Sequence, residues 1–181
     1  MLYLLAGHTI IAGKGTGAFG INGFDEAIEA ARLRDDITKL LRSKNVAVIN
    51  DVDTTPLQKV VMWLKSLVKK NDKVIEMHFN AGPPTATGVE VYIDDTPTGE
   101  EVVFARQIAT AISRVLGIKL RGNAGVRHES ESQHSSLAII SVPSAAVNVL
   151  VEVCFLTNNG DVDSYRRNYN LLVEALAEII Q

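Results

Sequence analysis

Val147-Asn-Val-Leu-Val-Glu-Val-Cys-Phe155 is a nearly continuous apolar run, and only Asn148 and Glu152 interrupt it. A run of this length, rich in β-branched residues, is typical of a strand that is buried inside a sheet. Burying a carboxylate in such a strand is costly unless the group is paired or bound to a metal. Glu152 therefore indicates a functional site. Cys154, in the same run, is interpreted as a buried inert thiol, with a nucleophile as the alternative.

The rest of the chain alternates apolar runs with amphipathic stretches, and Gly117 follows one of these stretches as a helix stop. The predicted strands are Leu2–Ala6, 46–50, 73–79, 89–93, 137–141 and Val147–Phe155, and the predicted helices are residues 24–44, 57–69, 100–116 and 161–180. This alternation predicts an α/β fold in which residues 1–181 form a three-layer single domain. Its mostly buried, mainly parallel or mixed sheet is flanked by helices.

Composition excludes several classes of protein. The net charge of −3 argues against a nucleic-acid binder, and no apolar run reaches the length of about 18 residues that a membrane span needs. A single cysteine cannot form an internal disulfide. The apolar N-terminus has no basic leader and no cleavage site, so it is interpreted as a strand and not as a signal peptide, which predicts synthesis in the cytoplasm.

Three metal-capable side chains stand where secondary-structure elements begin or end. His8 follows the first strand, Glu26 lies in the first turn of the first long helix, and His78 lies near the end of the strand of residues 73–79. Two imidazoles and one carboxylate suit a catalytic zinc site. Simpler interpretations stay open: a loop histidine bonded to backbone, a carboxylate at a helix N-terminus, and a structural histidine.

Residues 15–20 match the glycine pattern G-x-G-x-x-G, which raises a rival interpretation as a dinucleotide-binding fold. In that fold the pattern follows the first strand at once, and an acidic residue ends a strand about 20 positions later. Here about eight residues separate Ala6 from Gly15, and Asp51 comes too late. A glycine-rich loop that shapes a cleft is therefore the preferred interpretation.

Three blocks in order along the chain form a more specific pattern. They are Leu4-Leu5-Ala6-Gly7-His8 with the glycine-rich loop of residues 13–23 and Glu26, then His78-Phe79-Asn80-Ala81 with Gly88-Val89-Glu90, and finally Val151-Glu152-Val153-Cys154-Phe155-Leu156-Thr157-Asn158. Together they resemble the zinc-dependent N-acetylmuramoyl-L-alanine amidases that cut peptidoglycan. The chain departs from the family pattern at Leu5-Ala6, where Asp-Pro is frequent, and at Cys154, where glycine is usual.

The resemblance implies a Zn²⁺ ion at His8, Glu26 and His78, and Glu152 as the catalytic carboxylate. The implied substrate is peptidoglycan, cut at the amide between N-acetylmuramic acid and L-alanine. Zinc would provide a nucleophilic water at neutral pH, and Glu152 would take its proton and pass it to the leaving amine.

Further residues are candidates for substrate binding. Asn80 and Glu90 could orient ligands or substrate, although Asn80 could equally stabilise a turn. His134 and His128 are candidates for stabilising an oxyanion, with solvated loop histidines as the alternative. Both histidines lie in a long polar stretch, residues 121–136, which we expect to border the substrate groove.

Two other functions remain open at this point. One is a different zinc amide hydrolase, such as a peptidase that acts on the stem peptide, and the other is a non-catalytic nucleotide- or wall-binding module. Without a signal peptide, an amidase of this type would reach the cell wall after release by another factor, as an endolysin of a phage or prophage does. The sequence predicts no oligomeric state.

Overall fold

Strands and helices alternate along the chain in this computed structural model, which describes residues 1–134, 136–141 and 145–181. The strands are β1 (Leu2–Ala6), β2 (Ile10–Ile11), β3 (Lys14–Gly15), β4 (Val48–Ile49), β5 (Lys73–Asn80), β6 (Glu90–Ile93), β7 (Val126–His128) and β8 (Val147–Phe155). The helices are α1 (Glu26–Ser43), α2 (Leu57–Leu67), α3 (Gly99–Leu116) and α4 (Asn159–Ile180). Short 3₁₀ turns occupy Ile21–Gly23 and Glu129–Glu131.

A six-stranded mixed sheet of order β4-β1-β5-β8-β6-β7 forms the centre of the fold. Strands β4, β1, β5 and β8 are parallel, whereas β6 is antiparallel to β8 and β7 is parallel to β6. Strand β8 lies between β5 and β6, and it is buried along nearly its whole length. The α/β architecture with a mixed, mostly buried sheet is therefore confirmed.

The two faces of the sheet have different roles. On β5, Ile75, Met77 and Phe79 join the large core that α1, α3 and α4 cover. Because side chains alternate along a strand, Glu76 and His78 point to the opposite face. On that face α2 and the segment of residues 137–141 bury smaller apolar clusters and leave the ends of the strands accessible from a cleft.

The segment of residues 137–141 was predicted as a strand, and that prediction is wrong. It forms turns in which Ile139 and Ile140 are buried against the sheet. Both neighbours of β8 are already in place, so the apolar segment covers the sheet face and does not pair with it. Sequence patterns also missed the β2–β3 hairpin and β7, and β4 is shorter than the predicted strand of residues 46–50.

The helix boundaries follow recognisable signals. Asp25 caps α1 by accepting a hydrogen bond from the Ile28 amide, and Gly117 ends α3 with a left-handed φ of 64°. The cap at Asp25 makes Glu26 the first residue of α1. Within the described residues, we find no helix with the length and apolar character needed to cross a membrane.

Candidate metal centre and catalytic cleft

The three predicted metal ligands, His8, Glu26 and His78, converge at one end of the sheet. Strands β1 and β5 are parallel neighbours, so the ends that carry His8 and His78 meet, and α1 begins beside them. One ligand atom from each residue lies within 4.8 Å of the others. Glu26 bridges the two rings, with 3.0 Å from Oε2 to His8 Nε2 and 3.0 Å from Oε1 to His78 Nδ1.

Glycines let the chain pack closely around this centre. A Cβ atom on Gly7 would lie 2.2 Å from the His78 ring, and one on Gly17 would lie 2.6 Å from His8 and 2.7 Å from Glu26. Gly15 belongs to the β2–β3 hairpin and does not open a helix, which overturns the dinucleotide-binding interpretation. The glycine-rich loop serves instead as a close cover over the candidate ligands.

Glu26 is held in its ionised form. Its side chain is buried, and its oxygens also accept hydrogen bonds from the amides of Ala18 (2.8 Å) and Phe79 (3.2 Å). Burial alone would raise the pKa of Glu26, but the hydrogen bonds and charges of His78 and His8 outweigh it and hold the pKa well below its usual range. A buried, ionised carboxylate beside two imidazoles is a suitable metal ligand.

Glu76 is a further member of the site that sequence analysis missed. Its Oε2 lies 3.1 Å from His78 Nε2, so the His78 ring stands between the carboxylates of Glu26 and Glu76. Burial lowers the pKa of His78, but these two carboxylates together raise it well above its usual value. A carboxylate that holds the second nitrogen of a metal-binding histidine fixes its tautomer and orientation. The signal was present in the sequence, because Glu76 interrupts an apolar strand two residues before His78.

A buried ion pair fixes the end of β1 just before His8. Arg34 Nη1 lies 2.9 Å from Asp51 Oδ1, and the same oxygen accepts a hydrogen bond from the Ala6 amide at 3.2 Å. Arg34 also binds Asp53 at 2.6 Å. These contacts attach β1 to α1 and to the segment after β4, and no local sequence motif predicted them.

Glu152 lies beside the three candidate ligands. It is paired in the sheet with His78 on one side and with Glu90 on the other. Among the described residues, its buried Oε2 has no hydrogen-bond partner. Burial, together with the charges of Glu26, Glu90 and Glu76, outweighs the effect of His78 and raises the pKa of Glu152 to about 8. A partly buried carboxyl group with a free oxygen and a pKa near neutrality is suited to proton transfer.

Asn80 and Glu90 lie farther along the same wall of the cleft, and they contact each other. Asn80 Nδ2 donates to Glu90 Oε1 at 2.5 Å, while the other carboxylate oxygen lies 2.9 Å from Arg121 Nε and 2.7 Å from Arg127 Nε. The sequence analysis singled out the first two residues but not the arginines. The arginines belong to the predicted polar stretch of residues 121–136.

These side chains line a cleft of about 900 Å³, and part of the polar stretch forms one side of it. His134 is exposed on this side of the cleft. His128 is not among the lining residues, and its Nδ1 lies 3.0 Å from the Asp94 carbonyl oxygen, which is a structural contact. Cys154 is fully buried, and burial raises the pKa of its thiol well above the usual value, consistent with an inert residue.

Comparison with known proteins identifies the family of the chain. A family model described as N-acetylmuramoyl-L-alanine amidase matches residues 2–181. The chain belongs to this family. The solved structure of a protein assigned as an N-acetylmuramoyl-L-alanine amidase from Neisseria meningitidis superposes on this amidase-family chain with a TM-score of 0.78 and 26% identity, covering 99% of this chain and 93% of that one.

Two curated relatives of this family member are named as uncharacterized proteins. YqiI of Bacillus subtilis strain 168 is 29% identical over 166 residues, which cover 90% of this chain and 73% of the relative. CPE1502 of Clostridium perfringens strain 13 is 30% identical over 179 residues, which cover 92% of this chain. The chain spans only 48% of the Clostridium protein, so that relative carries additional sequence.

Proposed function

We propose that this protein is a zinc-dependent N-acetylmuramoyl-L-alanine amidase that hydrolyses the amide between N-acetylmuramic acid and L-alanine in peptidoglycan. Family membership supports peptidoglycan amidase activity. The cluster of His8, Glu26 and His78 is the observation that supports a zinc site, and Glu152 beside it in the cleft supports the assignment of the catalytic carboxylate. Residues 1–181 form the catalytic domain in this proposal.

The residues present fit a zinc ion. Two imidazole nitrogens and one carboxylate oxygen are the donor set of many catalytic zinc sites, and three protein ligands leave a position open. Glu26 is ionised and His78 is oriented by Glu76, as metal binding requires. When bound, zinc supplies Lewis-acid chemistry that polarises the amide carbonyl and activates a water molecule.

Glu152 moves the proton in this proposal. Hydrolysis of an amide requires that the attacking water lose a proton and that the leaving nitrogen gain one as the C–N bond breaks. Among the described residues, the Oε2 of Glu152 has no hydrogen-bond partner, so it can accept the first proton and then return it to the amine of L-alanine. The new carboxylate stays on the lactyl group of the sugar.

Product analysis distinguishes this function from its closest rival. Purified sacculi digested with the zinc-loaded protein should release peptides with a free N-terminal L-alanine and leave glycan strands without peptides. Removing zinc with a chelator should abolish release, and adding zinc should restore it. New amines on residues inside the stem peptide would indicate a peptidase instead, and zinc-independent binding without release would indicate a wall-binding module.

The proposed place of action is the cell wall. We propose that the protein reaches it as a lysin of a phage or prophage, released by another factor. Addition of the purified protein to intact cells from outside, compared with expression together with a membrane-permeabilising factor, tests this context. Lysis only in the second case supports it.

A further inference from the structure

Two arginines share one carboxylate in the wall of the cleft. Arg121 Nε and Arg127 Nε lie 2.9 Å and 2.7 Å from the same oxygen of Glu90. The Glu90 side chain is 3% exposed, whereas the arginine side chains are 25% and 26% exposed and line the cleft. The other oxygen of Glu90 is occupied by Asn80. Two positive charges therefore face one negative charge, and the cluster keeps a charge of +1.

Donor groups of this cluster remain available. Among the described residues, the ion pair with Glu90 is the one polar contact of Arg127, so its terminal nitrogens are free to bind a ligand. Arg121 is held in place, because its guanidinium lies 4.8 Å from the centre of the Phe155 ring and makes a long bond of 3.4 Å to the Thr87 carbonyl. A guanidinium with fixed orientation binds a carboxylate with little loss of entropy.

The support beneath the cluster is rigid as well. The buried carboxylate of Asp161 accepts hydrogen bonds from the amides of Gly88 (3.1 Å) and Phe155 (3.0 Å) and from the Thr87 hydroxyl. It thereby ties the chain just before Glu90 to the residue that packs under Arg121.

The distance from the candidate metal centre limits what the cluster can bind. Glu90 is paired with Glu152, and Glu152 is paired with His78, so Glu90 lies two strand spacings, or about 10 Å, from His78. An extended peptide covers this distance in about three residues. The lactyl carboxyl of the sugar is itself part of the scissile amide, so a carboxylate close to the cut bond belongs to the peptide.

We infer that Arg121 and Arg127 form a subsite for a carboxylate of the leaving peptide, within about three residues of the scissile amide. The inference deepens the proposed function and rests on it for the identity of the peptide. A bound carboxylate balances the excess charge of the cluster and fixes the direction in which the peptide leaves the metal centre. The amidase would therefore prefer stem peptides whose carboxylates are free over those in which they are amidated.

Two matched peptides test the subsite. Both begin with L-alanine and share one stem sequence, but the carboxylates beyond the alanine are free in one and amidated in the other. Calorimetric titration of the wild-type protein should show the free acid binding about 10- to 100-fold tighter, the usual effect of a charge-assisted hydrogen-bond pair. In Arg127→Gln, this preference should fall to within about threefold of unity, because Arg121 and Glu90 then neutralise each other.

Control variants separate recognition from folding. Arg106→Gln removes an exposed arginine of α3, on the opposite side of the sheet, and should keep the full preference. Arg127→Lys keeps the charge but loses the planar donor fork, so it should keep only part of the preference. Thermal unfolding of each variant shows whether the fold is intact.

The outcomes are distinguishable from those of the amidase assay. Equal affinity of the wild type for the two peptides, or an unchanged preference in Arg127→Gln, would overturn the subsite even if sacculi are cut as proposed. A preference that disappears in Arg127→Gln and persists in Arg106→Gln supports the subsite. Failure of the zinc-loaded protein to cut sacculi would refute the proposed function, whatever the binding ratio.

Discussion

Replacing Glu76 tests whether the structure around the ligands, and not only the ligands themselves, sets the affinity for zinc. The Glu76 carboxylate lies 3.1 Å from Nε2 of His78, where it can accept a hydrogen bond from that nitrogen, and the Glu76 side chain is buried. We expect Glu76→Gln to weaken zinc binding and Glu76→Ala to weaken it further. The fold should persist in both, because Glu76 lines the cleft on the face of β5 opposite the large core.

The expected magnitude follows from this contact. A hydrogen bond to a charged partner contributes about 1.5–3 kcal/mol, and one between neutral groups contributes about 0.5–1.5 kcal/mol. Glu76→Gln keeps a neutral acceptor, so it should cost about 1–1.5 kcal/mol of binding free energy, or about tenfold in affinity. Glu76→Ala removes the whole contact and should cost about 100-fold, the upper end for residues that orient metal ligands.

Competition with a chelator of known zinc affinity measures these changes directly. Glu101→Gln is the matched control, because Glu101 is equally buried but accepts a hydrogen bond from the backbone amide of Asn148 at 2.9 Å, away from the centre. It should leave zinc affinity unchanged, and thermal unfolding shows whether its fold is intact. An affinity of Glu76→Gln equal to that of the wild type would refute the orienting role, and a loss beyond about 10³-fold would make Glu76 a ligand itself.

Three further predictions concern the candidate centre. His8→Ala and His78→Ala should each bind well below one zinc per chain, measured by atomic absorption after dialysis; full stoichiometry in either would remove that residue from the ligand set. Gly17→Ala should weaken zinc binding at least about tenfold, because its Cβ would lie 2.6 Å from the His8 ring, whereas Gly99→Ala, which meets no atom within 4 Å, should not. Finally, the pKa of Glu152, raised from 4.5 to about 8, means that ionisation destabilises the metal-free fold as the pH rises from about 4.5 to about 8. Urea unfolding of metal-free Glu152→Gln should therefore show a gain in the free energy of unfolding of up to about 5 kcal/mol over wild type above about pH 8 and almost none below about pH 4.5; a gain that is independent of pH would show that the pKa of Glu152 is not raised.

The architecture was predictable because hydrophobic periodicity reports burial. Strand β8 is buried on both faces and reads as an apolar run, and each long helix carries an apolar stripe. The same rule failed at residues 137–141, where an apolar run packs flat against the sheet as turns. Periodicity identifies which residues are buried, but it does not say whether a free sheet edge is available to pair with them.

The candidate site was predictable only in part. His8 and His78 lie at the ends of parallel neighbouring strands, so their meeting follows from topology. Residue patterns singled out Glu26 and Glu152 as candidates, and the resemblance to a family was needed to give them the roles of metal ligand and catalytic carboxylate. The contacts that hold the site residues in place, such as the ion pair between Arg34 and Asp51, join residues far apart in the sequence. They depend on three-dimensional packing, so no local pattern predicts them.

The antiparallel placement of β6 is a second feature that the sequence did not reveal. Because β6 is antiparallel to β8, the first residues of β6 lie next to the last residues of β8, and Glu90 therefore lies beside Glu152. Arg121 and Arg127 then reach Glu90 from the polar stretch. With β6 parallel to β8, Glu90 would lie at the opposite end of the sheet, and the arginine cluster would be absent from the cleft.

The turnover of purified sacculi by zinc-loaded Glu152→Gln, with bound zinc measured on the same sample, tests the central claim most directly. The substitution keeps the shape of the side chain but removes the group that accepts a proton, and it leaves His8, Glu26 and His78 intact. We predict full zinc content and a turnover lowered about 10²- to 10⁴-fold, the usual contribution of positioned acid–base catalysis. Near-normal turnover would contradict the assignment of Glu152, and loss of zinc would make it a ligand instead.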